Sequence, residues 1–131
     1  MSLLPRNLAD LIATTGVGTV GTDIFIEKLV ADPANAIMLV SITSPTPDLY
    51  LDTAYLDFEV WCRNESTKTA SDNLTTIYNL LHRNHHITLG DYYIYFIHAQ
   101  GSIDNFDEDN EGRKLFKQTY RAIYRDTRTV S

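Results

Sequence analysis

The sequence has 131 residues, a single cysteine and a formal net charge of −6, from 11 Lys and Arg against 17 Asp and Glu. That length suits one domain spanning 1–131, with 126–131 expected as a loose tail. The acidic balance argues against wrapping nucleic acid through phosphate neutralisation. Cys62 alone cannot form an internal disulfide or a cysteine-based metal site, and no apolar run approaches the ~18 residues of a transmembrane helix. The first residues lack the charged, apolar and small-residue pattern of a secretory leader.

The elements read in chain order as follows. Leu4, Leu8, Leu11 and Ile12 form a helical stripe, with Pro5 in the first turn and Thr14-Thr15-Gly16 at the end. Asp23 to Leu29 reads as a short strand, and Ala36 to Ile42 as a buried one. Residues 43–53 are expected to form a loop, because two prolines exclude a regular central strand. Tyr55 to Arg63 is the clearest strand. Leu56, Phe58, Val60 and Cys62 alternate with Tyr55, Asp57, Glu59, Trp61 and Arg63, so the second set shares a mixed charged and aromatic face. A helix over 66–83 follows from the spacing of Ala70, Leu74, Ile77, Tyr78 and Leu81, with Ser66 or Asn64 as its cap and Asn84 at its end. Ile87-Thr88-Leu89, Gly90-Asp91 and Tyr92 to Ala99 predict a hairpin. Residues 101–113 read as a polar loop, and Phe116 to Arg125 as the last strand. The order α-β-β-β-α-β-β-β predicts an α+β fold: a mixed, largely antiparallel β-sheet with two main helices packed on one face.

Few patterns carry chemistry. Gly16, Gly18 and Gly21 spell G-x-G-x-x-G, but a helix precedes them and a strand follows, the reverse of a dinucleotide site. His82, His85 and His86 cluster near His98. They lack the H-E-x-x-H pattern, and a polar helix end accounts for them. Asp104, Asp107, Glu108, Asp109 and Glu111 crowd one segment without the spacing of a calcium loop. No nucleophile elbow or phosphate loop is present, and Cys62 lies in the inward register of its strand. No enzyme activity, cofactor or metal is expected.

Several local patterns resemble the phage proteins labelled minor capsid or tail terminator. They are Phe58-Glu59-Val60-Trp61-Cys62-Arg63, the helical Tyr78 to Leu81, and Tyr93-Ile94-Tyr95. The polar segment closing on Asp109-Asn110-Glu111-Gly112-Arg113 and the final Tyr120 to Arg125 complete the set, with Gly21 to Phe25 and Asn35-Ala36-Ile37 upstream. The likeness covers roughly residues 5–126. It implies a viral protein of the tail and neck that stops tail-tube growth and presents a surface to the head. Such proteins form rings, commonly hexamers, around a channel through which DNA passes without sequence-specific binding. The implied partners are other copies of the chain, the tail tube protein and a head connector or stopper protein, in the virion and, during assembly, in the host cytoplasm. No membrane is involved.

A closing ring needs a heterologous interface. Asp57, Glu59, Trp61 and Arg63, with Asp107, Asp109, Glu111 and Arg113 of the 101–113 segment, are the candidate contacts. Arg113 has two readings, a bidentate bridge to a neighbour's carboxylate or a local pair with Asp109 or Glu111. The alternatives to a terminator are a head-completion or stopper protein, a small metal-binding or enzymatic domain built on the histidines, and a host-encoded interaction module.

Overall fold

The computed structural model describes residues 4–28, 35–42, 46–47, 53–108 and 113–127. Helix α1 spans Leu4–Ala13 and buries Leu4, Leu8, Ala9 and Ile12. Its end is closed locally: Thr14 and Thr15 donate backbone N–H bonds to Leu11 and Ile12, and Gly16, at φ +84, donates to Ala13. A positive φ there suits glycine, which has no Cβ to clash. Strands β1 (Ile24–Ile26) and β2 (Ala36–Ser41) follow, then β3 (Thr46–Pro47) and β4 (Ala54–Asn64). Helix α2 runs Thr67–Leu81, and β5 (His85–Leu89), β6 (Tyr92–Glu108) and β7 (Lys114–Asp126) complete the chain.

The strands lie in the order β1-β2-β4-β7-β6-β5, with β3 paired to β4 off that path. Only β1 and β2 are parallel among the paired strands. This is the expected α+β arrangement with a mixed, mostly antiparallel sheet. Its one addition is β3, two residues inside the proline-rich segment, where Thr46 and Pro47 face Tyr55 and Ala54. Proline is tolerated there because β3 needs no ladder on its far side. The first strand is shorter than expected, three residues instead of seven.

Both helices cover one face of the sheet. Leu56, Phe58, Val60 and Cys62 of β4 point into a core shared with Leu74, Ile77 and Leu81 of α2. Each large apolar side chain fully buried this way contributes about 1.5–3 kcal/mol. Ser66 caps α2 by accepting the Thr69 N–H at 3.2 Å, and the Asn64 side chain accepts the Ser66 N–H at 2.9 Å. Both expected caps are therefore used in series. The helix ends at Leu81, where the Asn84 side-chain amide donates to the Leu80 carbonyl at 3.2 Å.

Helix α1 touches β1 and β2 at one edge and β5 at the other. Flat, those edges would stand about 24 Å apart, more than a helix of ten residues at about 15 Å can span. The sheet therefore curls around the helices. Asn7 of α1 fastens the far edge by donating to the Leu89 carbonyl at 3.3 Å, against Gly90 at φ +59.

The largest departure from expectation lies at 101–108, which continues strand β6 instead of forming a loop; residues 109–112 lie outside the described residues. Strand β6 extends to Glu108 and pairs with β7 as far as Lys114. Register shifts between Gln100 and Asp104 and between Asn105 and Asp107 break the alternation that marks a strand in sequence. Gly101, at φ +83, supplies the first of these bends. The Gln118 amide steadies it, donating to the carbonyls of Gly101 at 3.1 Å and Gln100 at 3.3 Å. The expected tail is partly ordered: Asp126 belongs to β7, and Thr127 donates to the Asp91 carbonyl through its N–H and its hydroxyl. Residues 128–131 lie outside the described residues.

Candidate assembly surface

The sheet face away from the helices carries the mixed pattern read in β4. Register places Asp57 opposite Arg121, Glu59 opposite Thr119, and Trp61 opposite Lys117. Arg121 grips Asp57 with two bonds, Nε to Oδ1 at 2.6 Å and a second guanidinium nitrogen to Oδ2 at 2.9 Å. The same guanidinium stacks over Tyr55, 4.4 Å from the ring centroid. This planar fork is the geometry that arginine, unlike lysine, can make with a carboxylate. It holds the Asp57 carboxyl below the ordinary carboxylate range, against the upward push of partial burial.

The next rung is built the same way. Lys117 Nζ lies 3.2 Å from Glu59 Oε2 and 5.7 Å from the Trp61 ring centre. The Trp61 indole N–H donates to Glu59 Oε1 at 3.4 Å. Asp57, Glu59 and Trp61 thus share one strip, half-buried and fixed by neighbours from β7. Lys117 and Arg121, invisible as site residues in the sequence, complete it. Opposite charges on two period-two strands were their only signal, and it has meaning only once β4 and β7 are paired.

Arg63 and Arg113 stand apart from that strip. Arg63 is 6% exposed and lines a polar cleft of about 290 Å³ with Asp23, Asn35, Thr69 and Asn73. Arg113 is 8% exposed. Asp107 lies on the hairpin, facing Leu115 in register. Asp109 and Glu111 lie outside the described residues.

A second group gathers where β5, β6 and β7 meet. Strand β6 inserts Tyr95 as an extra residue, since Ile94 pairs with Tyr124 and Phe96 with Ile123. This bulge inverts the parity of the strand. Ile97 turns into the core, and Phe96 turns out, 38% exposed. His86 Nδ1 lies 2.8 Å from the Tyr93 hydroxyl, and Arg125 sits 5.7 Å above the Tyr93 ring. Tyr93 and Tyr95 meet edge to face at 5.0 Å.

The histidines have separate structural partners. His82 stacks on Tyr78, and its Nδ1 accepts the Ala99 N–H at 2.9 Å. His85 Nδ1 lies 3.0 Å from the Arg83 carbonyl. Among the described residues no three His, Cys, Asp or Glu groups converge as metal ligands. Cys62 is buried, which pushes its thiol well above the ordinary range. The glycine motif closes on itself as a turn: Thr19 donates its N–H to Asp23, and Gly21 donates to Ile24. Among the described residues no helix is long and apolar enough to cross a membrane.

Among the described residues the strands make one curled α+β sheet with both helices on one face and the charged, aromatic strip on the other. The chain belongs to the bacteriophage tail terminator family, whose description, “Bacteriophage tail terminator protein”, matches residues 11–126. It is thus a structural protein of the phage tail and neck. It shares its fold with a chain from a solved structure titled “Virion of native gene transfer agent (GTA) particle”. The two are 12% identical at a TM-score of 0.65, with 92% of this chain and 93% of that one covered. No curated protein matches.

Proposed function

We propose that the chain acts, as a single 131-residue unit, in a closed ring of six identical subunits. The ring caps the tail tube, stops its growth and offers the surface that joins tail to head. Its role is mechanical, with no catalysis and no cofactor. The observation that carries this reading is the family match over residues 11–126. The outer sheet face supports it: a charged and aromatic strip, pre-ordered by cross-strand partners, loses little side-chain entropy when a neighbour covers it. Asp57, Glu59 and Trp61, with Lys117 and Arg121, are the central contacts. Asp107, Asp109 and Glu111 of the 101–113 segment are the second set, while Arg63 and Arg113, 6% and 8% exposed, offer little surface to a neighbour. DNA passes through the ring unread, and an acidic subunit prevents it from sticking.

The test is electron microscopy of particles assembled without this protein. Overlong tails are the expected result. Tails of normal length that are detached from heads, or heads that leak DNA, overturn the terminator role in favour of a stopper or connector.

A further inference from the structure

The polar cleft beside Arg63 lies apart from the charged strip, and its lining has a chemistry of its own. It sits where β1 and β2 begin and β4 ends, between the close of α1 and the first turns of α2. Its volume of about 290 Å³ is at the lower limit for a drug-sized ligand, so its occupant is small. Among the described residues Arg63 is the one base of the lining and Asp23 the one acid. Asp23 is fixed by the glycine turn, where its Oδ1 accepts the Thr19 N–H. Gly18 makes room for that contact, since a Cβ there would lie 2.7 Å from the same oxygen. The second oxygen of Asp23 remains as an acceptor. Asn35 and Asn64 are held through their oxygens, which accept the N–H groups of Glu65 at 3.1 Å and Ser66 at 2.9 Å. An amide bound by its oxygen keeps its NH2 group as a donor.

Thr69 and Asn73, one turn apart on the same face of α2, add a hydroxyl and a third amide. Arg63 is 6% exposed and carries five N–H donors in a planar fork, more than a single partner uses. The lining is therefore rich in donors, with one acceptor among them. A hard cation does not fit, because it needs six or more oxygens and those of Asn35 and Asn64 are taken. A phosphate dianion gains little, because Asp23 offsets the charge of Arg63. A carboxylate that brings its own N–H uses both kinds of group. We propose that the cleft binds an α-carboxylate together with the N–H of the same residue. The carboxylate takes the donors of Arg63 and the asparagine amides, and the N–H is given to Asp23. The end of a polypeptide chain and a free amino acid share this chemistry. The inference is independent of the ring reading above.

The experiment is an amide chemical-shift titration of the full chain with three probes: N-acetyl-alanyl-alanine, its C-terminal amide, and free alanine. The acetylated acid should shift the signals of Gly16, Asp23 and Asn73 saturably, with a Kd on the order of 1 mM. Its amide should bind at least about tenfold more weakly. Free alanine that binds as well as the acetylated acid makes a free amino acid the source, and acetylated acid that binds alone makes it a chain end. Both results support the proposal. Asn73→Ala, on α2, should weaken the acid about fivefold with an unchanged thermal melt. Arg63→Lys should weaken it at least about tenfold, because the charge stays and the fork is lost. If that variant does not fold, Asn73→Ala decides. An acid and an amide that bind equally well overturn the proposal. So does the absence of saturable shifts in the cleft up to about 20 mM of every probe, or an Asn73→Ala variant that binds the acid as tightly as the wild type.

Discussion

Tyr120 offers the sharpest test of the packing described above. Its side chain is fully buried, with its ring stacked on Phe58 at 5.5 Å and 21°. Among the described residues, however, its hydroxyl has no hydrogen-bond partner. A hydroxyl buried in this way costs about 1–3 kcal/mol relative to one that is paired or solvated. Tyr120→Phe keeps the ring and the stack and removes only the stranded oxygen. The small void left behind costs about 0.3 kcal/mol at about 24 cal/mol per Å³. The variant should therefore be more stable than the wild type by about 1–2 kcal/mol. At about 2.1 cal/mol/K per residue, that raises Tm by about 4–7 °C. The assay is denaturant unfolding followed by Trp61 fluorescence, with a calorimetric Tm beside it. Tyr124→Phe serves as the contrast, since the Tyr124 hydroxyl is not stranded and should give no comparable gain. If Tyr120→Phe melts lower than the wild type, the hydroxyl has a partner in solution and the reasoning fails.

Three further outcomes are expected. Asp57→Asn should lower Tm at pH 7, because the fork from Arg121 holds the folded carboxyl below its unfolded value. A lowered folded pKa means that this contribution is present above an unfolded value near 4 and is lost as pH falls through the folded one. The gap between variant and wild type should thus shrink as the pH falls below the unfolded value in a pH series of melts; a gap that widens in acid contradicts the assignment. Gly90→Ala should cost about 1–2 kcal/mol. The new Cβ would stand 2.7 Å from Asn7 Nδ2 on a backbone at φ +59, and a melt unchanged within 1 °C would show that this clasp is slack. Native Cys62 should react with a thiol reagent only at the rate of unfolding, because its thiol is buried and raised; rapid labelling of the folded protein would place it at the surface.

How far the sequence reveals this molecule depends on the element. Strand β4 is legible because Leu56, Phe58, Val60 and Cys62 keep strict alternation against a solid core. Helix α2 is legible because its apolar stripe and its Ser66 cap agree. The far end of the β6–β7 hairpin is not. Its register shifts destroy the period of two, and its polar residues look the same in a hairpin as in a loop. The bulge at Tyr95 hides which aromatic faces out, since seven consecutive apolar or aromatic positions with one histidine show no period at all. The candidate surface was half visible. Asp57, Glu59 and Trp61 stand on the outer register of a clear strand, whereas Arg121 and Lys117 become their partners only through a pairing 64 and 58 residues away in sequence.

The position of β7 has a consequence for what holds the sheet together. It is the last of the described strands, yet it lies between β4 and β6 at the middle of the sheet. Both the Asp57–Arg121 grip and the Lys117–Glu59 pair depend on it. Without β7 the sheet would fall into two pieces, β1-β2-β4 and β6-β5, each with a new open edge. The charged strip of the outer face stands or falls with that one strand.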